Sequence, residues 1–303
     1  MDKKILILGG SGFIGRALAL LLNQKEYEVR VFSPSATRYG WPNKIVAVNG
    51  YIEDRGVLEK QVEWADIIIH AVSTTNPKTS LSDPLHDLSS NLIPFVQLLE
   101  LLKNTDKKIV YCSSGGGVYG KPMENPIKES HLRHPSTSYG LVKSFMEDYI
   151  LYYNRNFEVS YLIVRPANIY GPKIRSIGEQ GIISTLLYKA IKEEQTIIWS
   201  NPENIRDYLF IEDFANGLLC LIENQAEGIF NMGSGKGVSL KEIIEVVQSL
   251  LVKPLNISFQ EITIKDESIS VLSNQKIYET TGWRPIISLE EGISITNKNI
   301  KGI

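Results

Sequence analysis

The segment KILILGGSGFIGRALALLL, residues 4–22, decides the fold of this chain. The apolar run Ile5–Leu8 ends in glycines and is followed by a Leu- and Ala-rich stretch, which predicts a buried strand, a tight turn and a helix. Glycine at Gly9, Gly12 and Gly15 allows a positive φ or the close approach of a phosphate to the main chain. A helix that opens near Gly12 directs its N–H groups and its positive dipole end at such a phosphate. This spacing, directly after the first strand, predicts a dinucleotide site; the alternative is an ordinary strand–turn–helix.

Composition excludes several classes of protein. The chain has 303 residues, of which 43% are hydrophobic, with a net charge of −2 and a pI of about 6.2. No general attraction to nucleic acid or to an anionic membrane follows from that charge. The two cysteines and four histidines lack metal-ligand spacing, so we expect free thiols and no metal site. No signal peptide fits the N-terminus and no run reaches about 18 apolar residues, so we expect no membrane span and a cytoplasmic protein.

Apolar runs alternate with helical segments over the first half of the chain. This alternation predicts βαβ units in an α/β fold with a doubly wound parallel sheet. The predicted strands are Ile5–Leu8, Tyr27–Phe32, Ile45–Asn49, Ile67–Val72, Lys108–Cys112, Val159–Arg165 and Tyr208–Ile211. The predicted helices of this part are 13–22, 57–62, 91–102 and 138–154.

The pattern changes after Ala226, where the predicted strands are shorter, Gly228–Met232 and Leu255–Phe259, around one helix at 240–251. We therefore predict a cofactor-binding domain over residues 1–170, with 205–225 returning to it. Residues 171–204 and 226–303 are predicted to form a smaller, interleaved C-terminal substrate lobe.

The end of the second strand bears on the choice of cofactor. An acidic residue there would bond the ribose 2′-hydroxyl and select NAD, whereas a nearby arginine accommodates the 2′-phosphate of NADP. This chain has Ser33 at that position and Arg38 shortly after it. Serines and an arginine could accept a 2′-phosphate or belong to a loop that touches no ligand. The residues leave NAD and NADP both open.

Two further segments carry candidate chemistry. A Ser- and Gly-rich loop, residues 113–120, follows the predicted strand Lys108–Cys112, at the strand end where ligands bind in such sheets. Tyr139 and Lys143 are four residues apart on a predicted helix, so they lie on one face, one turn from each other. By itself, such a pair is equally consistent with a solvated helix face.

Together these segments resemble the extended short-chain dehydrogenase/reductase superfamily, in its NAD-dependent epimerase/dehydratase branch. The resemblance covers nearly the whole chain. It rests on Gly9-x-x-Gly12-x-x-Gly15, the Ser-Ser…Val-Tyr-Gly loop at 113–120, Tyr139-x-x-x-Lys143, Arg165-Pro-Ala-Asn168-Ile-Tyr-Gly-Pro172, Arg206-Asp207-Tyr208, Asn231-Met-Gly-Ser-Gly235 and Gly282-Trp-Arg-Pro285. It implies a Rossmann domain that binds NAD or NADP, and a C-terminal lobe that binds a nucleoside-diphosphate sugar.

The resemblance implies roles for individual residues. Tyr139 is the expected acid/base, and Lys143, together with the positive nicotinamide, is expected to lower its pKa. The implied cofactor ligands are Gly9, Gly12, Phe13, Ile14, Gly15, Ser33, Arg38, Ile52, Ala71, Val72, Asn91, Tyr139, Lys143 and Pro166. The implied substrate ligands are Ser113, Ser114, Asn168 and Arg206; Arg206 could instead form a structural ion pair with Asp207.

The serine loop departs from the family pattern and narrows the reaction. The position of the family's catalytic Ser or Thr falls on Gly115, so the neighbouring Ser114 is expected to donate to the sugar oxygen, or else to be only a structural serine at the strand end. Dehydratases carry an Asp-Glu pair where this chain has Gly116 and Gly117, and decarboxylating relatives keep a glutamate there. Without those acids, the resemblance implies redox chemistry at one carbinol.

The sequence and the resemblance leave three functions open. The first is a nucleotide-sugar 4-epimerase, acting on a UDP-sugar by transient C4 oxidation and hydride return, in the biosynthesis of a surface polysaccharide. The second is an NAD(P)H-dependent reductase of a 4-keto-6-deoxy nucleotide sugar, which Ser33 favours. The third is a catalytically silent dinucleotide-binding module. The family further implies a homodimer built from the predicted helices 91–102 and 138–154.

Overall fold

The computed structural model describes residues 3–172, 181–260 and 269–301. The chain forms two compact units. Unit 1 comprises Met1–Gly120, Leu132–Arg165 and Leu218–Phe230, and unit 2 comprises Lys121–His131, Pro166–Gly217 and Asn231–Ile303. The returning segment thus begins at Leu218, later than the predicted 205. The assignment of the cofactor and the sugar to separate parts of the chain stays a prediction.

The strands follow the predicted order closely. In chain order they are β1 (Lys4–Leu8), β2 (Glu28–Ser33), β3 (Ile45–Asn49), β4 (Ile67–His70), β5 (Lys108–Cys112), β6 (Ser160–Pro166), β7 (Asn168–Tyr170), β8 (Thr196–Ile198), β9 (Ile205–Phe210), β10 (Gly228–Met232), β11 (Gly237–Ser239), β12 (Ile257–Phe259) and β13 (Ile269–Ser270).

A seven-stranded sheet has the order β10-β6-β5-β4-β1-β2-β3. Every pairing from β6 across to β3 is parallel. Its central strands are continuous apolar runs because helices cover both faces of such a sheet. Leu6, Ile68 and Ile109 are fully buried in its core. The predicted doubly wound, Rossmann-like α/β fold is confirmed.

The α-helices, in chain order, are α1 (Phe13–Gln24), α2 (Arg55–Trp64), α3 (Pro77–Ser82), α4 (Pro84–Asp87), α5 (Ile93–Glu100), α6 (Gly115–Tyr119), α7 (Ser138–Phe157), α8 (Ile182–Lys192), α9 (Ile211–Glu223), α10 (Leu240–Ser249), α11 (Gln275–Thr281) and α12 (Leu289–Lys301). Across the described ranges, none of these helices has the length and apolar character needed to cross a membrane.

The segment between β4 and α5 contains structure that the sequence pattern did not predict. The short helices α3 and α4 are capped by Asn76 and Asp83, whose side chains accept N–H groups of the first turn. A π-helical turn, Leu88–Leu92, joins α4 to α5. The predicted helix 91–102 therefore begins with this irregular turn, which brings Asn91 into the interior of unit 1.

Unit 2 is built around β9, which pairs antiparallel with β11 and parallel with β7 and β13. A separate parallel pair joins β8 and β12. The carboxylate of Asp207, on β9, organises the loop after β10. It accepts hydrogen bonds from Ser234 N and Oγ at 2.8 and 2.6 Å, from Gly235 N at 3.3 Å and from Leu272 N at 3.2 Å.

Candidate active site

The turn after β1 is so tightly packed that only glycine fits at two positions. Gly9 has φ +78°, and a Cβ there would lie 2.7 Å from the carbonyl oxygen of Ala71. A Cβ on Gly15 would lie 2.3 Å from the carbonyl oxygen of Gly9. Ala71 and Val72, which follow β4, therefore lie against the backbone of this turn at Gly9. The structure thus brings four of the expected cofactor ligands together.

The first turn of α1 is open to an anion. Gly12 is the N-cap residue and offers no side-chain cap, and no acidic side chain stands in the first turn, which Phe13 and Ile14 begin. The initial N–H groups of a helix have no partner within the helix itself. A helix N-terminus of this kind suits a phosphate group. The residues present therefore fit the diphosphate of a dinucleotide.

A chain of hydroxyl groups lies at the end of β2. Ser33, which is 5% exposed, donates to Ser11 Oγ at 2.7 Å, and Ser11 Oγ is 3.1 Å from Ser35 Oγ. Arg38 is exposed in the short 3₁₀ turn that follows. Ile52 is 8% exposed and packs in the core cluster. The side chains here include no acid at the Ser33 position that would favour NAD over NADP.

The two serines of the loop after β5 make different contacts. Ser114 caps α6, because Gly117 N donates to Ser114 Oγ at 3.2 Å, and it also hydrogen-bonds to Tyr139. Ser113 is buried, and its hydroxyl donates to Glu147 Oε1 at 2.6 Å. In the structure the hydroxyl of Ser113 thus donates to a buried carboxylate, and the expected role of Ser113 in binding the sugar stays a prediction.

Tyr139 and Lys143 occupy the first turns of α7 as predicted. The Lys143 Nζ is buried, donates to the carbonyl oxygen of Cys112 at 3.1 Å and lies 5.8 Å from the centroid of the Tyr139 ring. Thr137 caps the helix by accepting the N–H of Gly140 at 3.1 Å. The cap and the carbonyl contact hold both side chains at the end of β5, next to Ser114.

Burial dominates the electrostatics of this pair. Burial raises the pKa of Tyr139 to about 12, although the hydrogen bond to Ser114 acts in the opposite direction. Burial also lowers the pKa of Lys143 to about 8. The expected lowering of the Tyr139 pKa, which needs the positive nicotinamide as well as Lys143, stays a prediction. Tyr139 is thus a neutral phenol at neutral pH.

Asn91 takes a supporting position. Its Oδ1 accepts Thr74 N at 3.0 Å, and its Nδ2 donates to Thr74 Oγ1 at 2.7 Å and to the backbone oxygen of Asp87 at 3.0 Å. It therefore fixes the loop that continues from Ala71 and Val72. The sequence reasoning missed the neighbours Asp87 and Ser138, whose hydrogen bond joins α4 to the start of α7. The dipeptides Asn76-Pro77 and Asp83-Pro84, which precede these residues, are typical of turns and do not predict the contact.

The remaining expected ligands lie at the end of β6 and in unit 2. Pro166 ends β6. Asn168 is exposed on β7 and donates to the backbone oxygen of Asp207 at 3.0 Å. Arg206 lines a pocket of about 260 Å³ in unit 2. The other lining residues, which combine apolar and aromatic walls with polar groups, are Ile182, Ile197, Ile198, Trp199, Ser200, Asn204, Tyr208 and Leu240.

The loop 115–117 carries no acid or base. Gly115, Gly116 and Gly117 form the first turn of α6, and a Cβ on Gly116 would meet no atom within 4 Å. A Cβ on Gly117 would lie 3.2 Å from Cε1 of Tyr139. Tyr139 thus lies against this turn, with Lys143 one helical turn further along α7, an arrangement suited to moving one proton at one hydroxyl.

Several known proteins are similar to this chain. The model of the NAD dependent epimerase/dehydratase family matches residues 5–233. A provisionally named UDP-glucose 4-epimerase of Methanocaldococcus jannaschii is 33% identical over 298 residues, 95% of each chain. The dTDP-4-dehydro-6-deoxyglucose reductase of Escherichia coli is 30% identical over 98% of this chain and 97% of its own.

A solved structure extends the likeness to the fold. The crystal structure of the UDP-glucose 4-epimerase of Thermus thermophilus, in complex with NAD, superposes with a TM-score of 0.91 over 99% of both chains at 27% identity. The family model, the relatives and the fold all indicate the same family. The chain therefore belongs to the NAD dependent epimerase/dehydratase family and is an NAD-dependent nucleotide-sugar enzyme.

Proposed function

We propose that this enzyme is a nucleotide-sugar 4-epimerase that oxidises C4 of a UDP-sugar transiently and returns the hydride to the opposite face. The observation that carries the proposal is the hydrogen bond between Ser114 and Tyr139, one turn from Lys143, beside a loop without acids. This set of groups supports proton transfer at one carbinol. It offers no second base for the elimination of water.

We propose that the cofactor is held in unit 1. The glycine turn and the first turn of α1 would bind its diphosphate, and Ala71, Val72 and Asn91 would border the nicotinamide half. Ser33 and Arg38 would face the adenosine ribose, and Ile52 would support the adenine. When bound, the cofactor supplies the hydride acceptor and donor for C4.

The proton is assigned to Tyr139. As the ketone forms at C4, the attached hydroxyl loses its proton, and Tyr139 Oη would accept it and later return it. Ser114 would hydrogen-bond to the same sugar oxygen and to Tyr139, so that it replaces the serine or threonine missing at Gly115. Lys143 would bind the cofactor ribose and stabilise the phenolate. Because the pKa of Tyr139 is about 12 in the protein alone, ligand binding must supply additional positive charge.

We propose that Asn168 and Arg206 bind the sugar nucleotide in unit 2. An arginine fork matches phosphate oxygens. The pocket that Arg206 lines has a wall of aromatic and apolar groups, including the 63% exposed ring of Trp199, which suits a flat base. The solved Thermotoga maritima relative of 26% identity is a UDP-glucose 4-epimerase with UDP-glucose, which supports a UDP-sugar here.

A reductase is the second candidate. Ser33 stands where an acid would favour NAD, and the Escherichia coli relative is a reductase of a 4-keto sugar nucleotide. A reductase would use the same Tyr139 as the proton donor to the new hydroxyl. It would require a stoichiometric supply of reduced cofactor, whereas an epimerase recycles its own.

Identification of the retained cofactor distinguishes the two functions. The purified protein is denatured, and the released dinucleotide is identified and quantified by mass spectrometry. Near-stoichiometric NAD is expected for the epimerase. Protein that is empty, and that NADPH stabilises more than NADH, contradicts the epimerase and favours the reductase. Empty protein that neither cofactor stabilises contradicts both.

We also propose that the enzyme is a homodimer. One face of α7 exposes Leu141, Phe145, Tyr149 and Tyr152, each at least 39% accessible and spaced three or four residues apart. Ile93 on α5 is 51% exposed in the same unit. A second copy would bury these side chains in a four-helix arrangement. Light scattering after size exclusion is expected to give a dimer, and Phe145→Glu to give a monomer; a monomeric wild type contradicts the proposal.

A further inference from the structure

Asp87, the last residue of α4, is a carboxylate that the proposed reaction does not use. It is 1% exposed. Its Oδ1 accepts hydrogen bonds from Thr75 Oγ1 and Asn91 Nδ2, the latter at 3.2 Å, and its Oδ2 accepts from Ser138 Oγ at 2.7 Å. These donors are all neutral. Burial of a carboxylate is costly unless a cation lies near enough to compensate for its charge.

The hydrogen bond to Ser138 reaches the catalytic helix directly. Ser138 is the first residue of α7, and Tyr139 is the second. The segment between β4 and α5 also contacts Tyr139 itself, because Tyr139 N donates to Oγ of Ser80 at 3.1 Å. Ser80 is fully buried in α3. The helices α3 and α4 therefore hold the first turn of α7 at two points, through Ser80 and Asp87.

Lys143 lies on the same helix, α7, as Ser138. Burial lowers the pKa of Lys143, and the negative charge of Asp87 acts in the opposite direction. Its charge also raises the pKa of Tyr139. Cys112 and Glu147 act on Lys143 in the same direction as Asp87, and the neighbouring His70 is uncharged because its pKa is lowered to about 3. Asp87 is thus one of the two carboxylates that act on the buried ammonium.

Asp83 and His86 are titratable residues in the same short segment as Asp87. Asp83 caps α4 by accepting His86 N at 2.9 Å, and His86 is exposed. Neither forms a hydrogen bond to the Asp87 carboxylate in the described part of the chain. The carboxylate is therefore directed toward α7 and the loop after β4.

We propose that Asp87 is a positioning residue for the reaction: its buried carboxylate, hydrogen-bonded to Ser138, fixes the first turn of the helix that carries Tyr139 and Lys143. The role rests on the proposed function, because it acts through Tyr139 and Lys143. In this role, the carboxylate of Asp87 contributes to the reaction, although its burial destabilises the interior of unit 1.

The charge is tested without substrate. In protein labelled with ¹³C at lysine Cε, the Lys143 resonance is assigned with the Lys143→Met variant and titrated from pH 6 to 10. The wild-type midpoint is expected near 8. In Asp87→Asn the midpoint is expected to be lower, because the nearby negative charge is lost. An unchanged midpoint contradicts the effect of Asp87 on Lys143.

The positioning is tested by turnover. Asp87→Asn is expected to lower kcat about tenfold with little change in KM, and Ser138→Ala to lower kcat by about threefold while the Lys143 midpoint stays unchanged. His86→Gln, on the same helix but exposed, is the matched control and is expected to behave as wild type. If Asp87→Asn fails to fold by circular dichroism, Ser138→Ala decides the positional role, and an unchanged kcat overturns it.

The two proposals fail in different ways. A wild-type enzyme that does not interconvert UDP-glucose and UDP-galactose, or any other C4 pair of UDP-sugars, contradicts the proposed function. The Lys143 titration needs neither substrate nor cofactor and still tests Asp87. An active wild type whose Asp87→Asn variant keeps both its kcat and its Lys143 midpoint overturns the role of Asp87 alone.

Discussion

The ion pair between Glu147 and Arg165 provides the strongest prediction about stability. Glu147 is fully buried on α7, and Arg165 on β6 is 3% exposed. Arg165 donates from Nε to Oε1 at 3.0 Å and from Nη2 to Oε2 at 2.6 Å. Ser113 adds a bond of 2.6 Å and Arg133 one of 3.3 Å. This network joins α7 to the ends of β5 and β6, beneath the catalytic residues.

The perturbation is Glu147→Gln, which removes the charge and keeps the shape. Removal of one partner of a buried pair leaves the other charge uncompensated and costs about 3–5 kcal/mol. A typical free energy of unfolding is about 5–15 kcal/mol, so this loss is a large fraction of it. At roughly 2–4 °C per kcal/mol, the melting temperature is expected to fall by about 6–20 °C.

Urea unfolding followed by far-ultraviolet circular dichroism measures the change in the free energy of unfolding. The matched control is Asp148→Asn, because Asp148 pairs with Arg133 at 2.5 Å but its side chain is 51% exposed. An exposed pair contributes about 1 kcal/mol or less. A Glu147→Gln protein that is as stable as the Asp148→Asn protein would refute the assignment of the buried pair as the main tie between α7 and the sheet.

Three further predictions concern the site. Ser114→Ala is expected to lower kcat by about 100–1,000-fold, as for the loss of one oxyanion donor, with the content of bound dinucleotide unchanged; wild-type kcat would contradict its role. Ser33→Asp is expected to shift the ratio of affinities, measured by isothermal titration calorimetry, about tenfold from NADP toward NAD. An unchanged ratio would place Ser33 away from the ribose. Because burial lowers the pKa of Lys143 from 10.5 to about 8, the unfolded chain binds more protons than the folded protein between those pH values. The stability of wild type relative to Lys143→Met is therefore expected to rise with pH in that interval, by up to about 1 kcal/mol per unit. Urea unfolding at pH 8 and 10 measures this, and a difference that falls with pH is the contrary result.

The large sheet was predictable because its strands are apolar runs between breakers. The bounds of β3, β5 and β10 agree with the prediction, and α7 begins at the predicted residue, Ser138. The short helices α3 and α4 were not predicted, because they have no apolar period and depend on side-chain caps within Asn-Pro and Asp-Pro segments.

The site was predictable in its residue types and less so in its energetics. The spacing of Tyr139 and Lys143 predicts that they share a helix face, and their proposed roles come from the family resemblance. The hydrogen bond between Ser114 and Tyr139 forms only in the folded chain. The contact of Ser113 with Glu147 could not be predicted, because the two residues are 34 positions apart in sequence. The pKa of Tyr139 depends on burial, which no local pattern reveals.

Transient oxidation at C4 is the central claim, and proton NMR in D₂O tests it most directly. The enzyme as purified is incubated with UDP-galactose, without added cofactor, and the C4 proton of the product is observed. UDP-glucose is expected to form with its C4 proton retained, and Tyr139→Phe is expected to abolish the conversion. Incorporation of deuterium at C4 would contradict internal hydride return, and conversion by Tyr139→Phe at the wild-type rate would contradict the assigned acid/base.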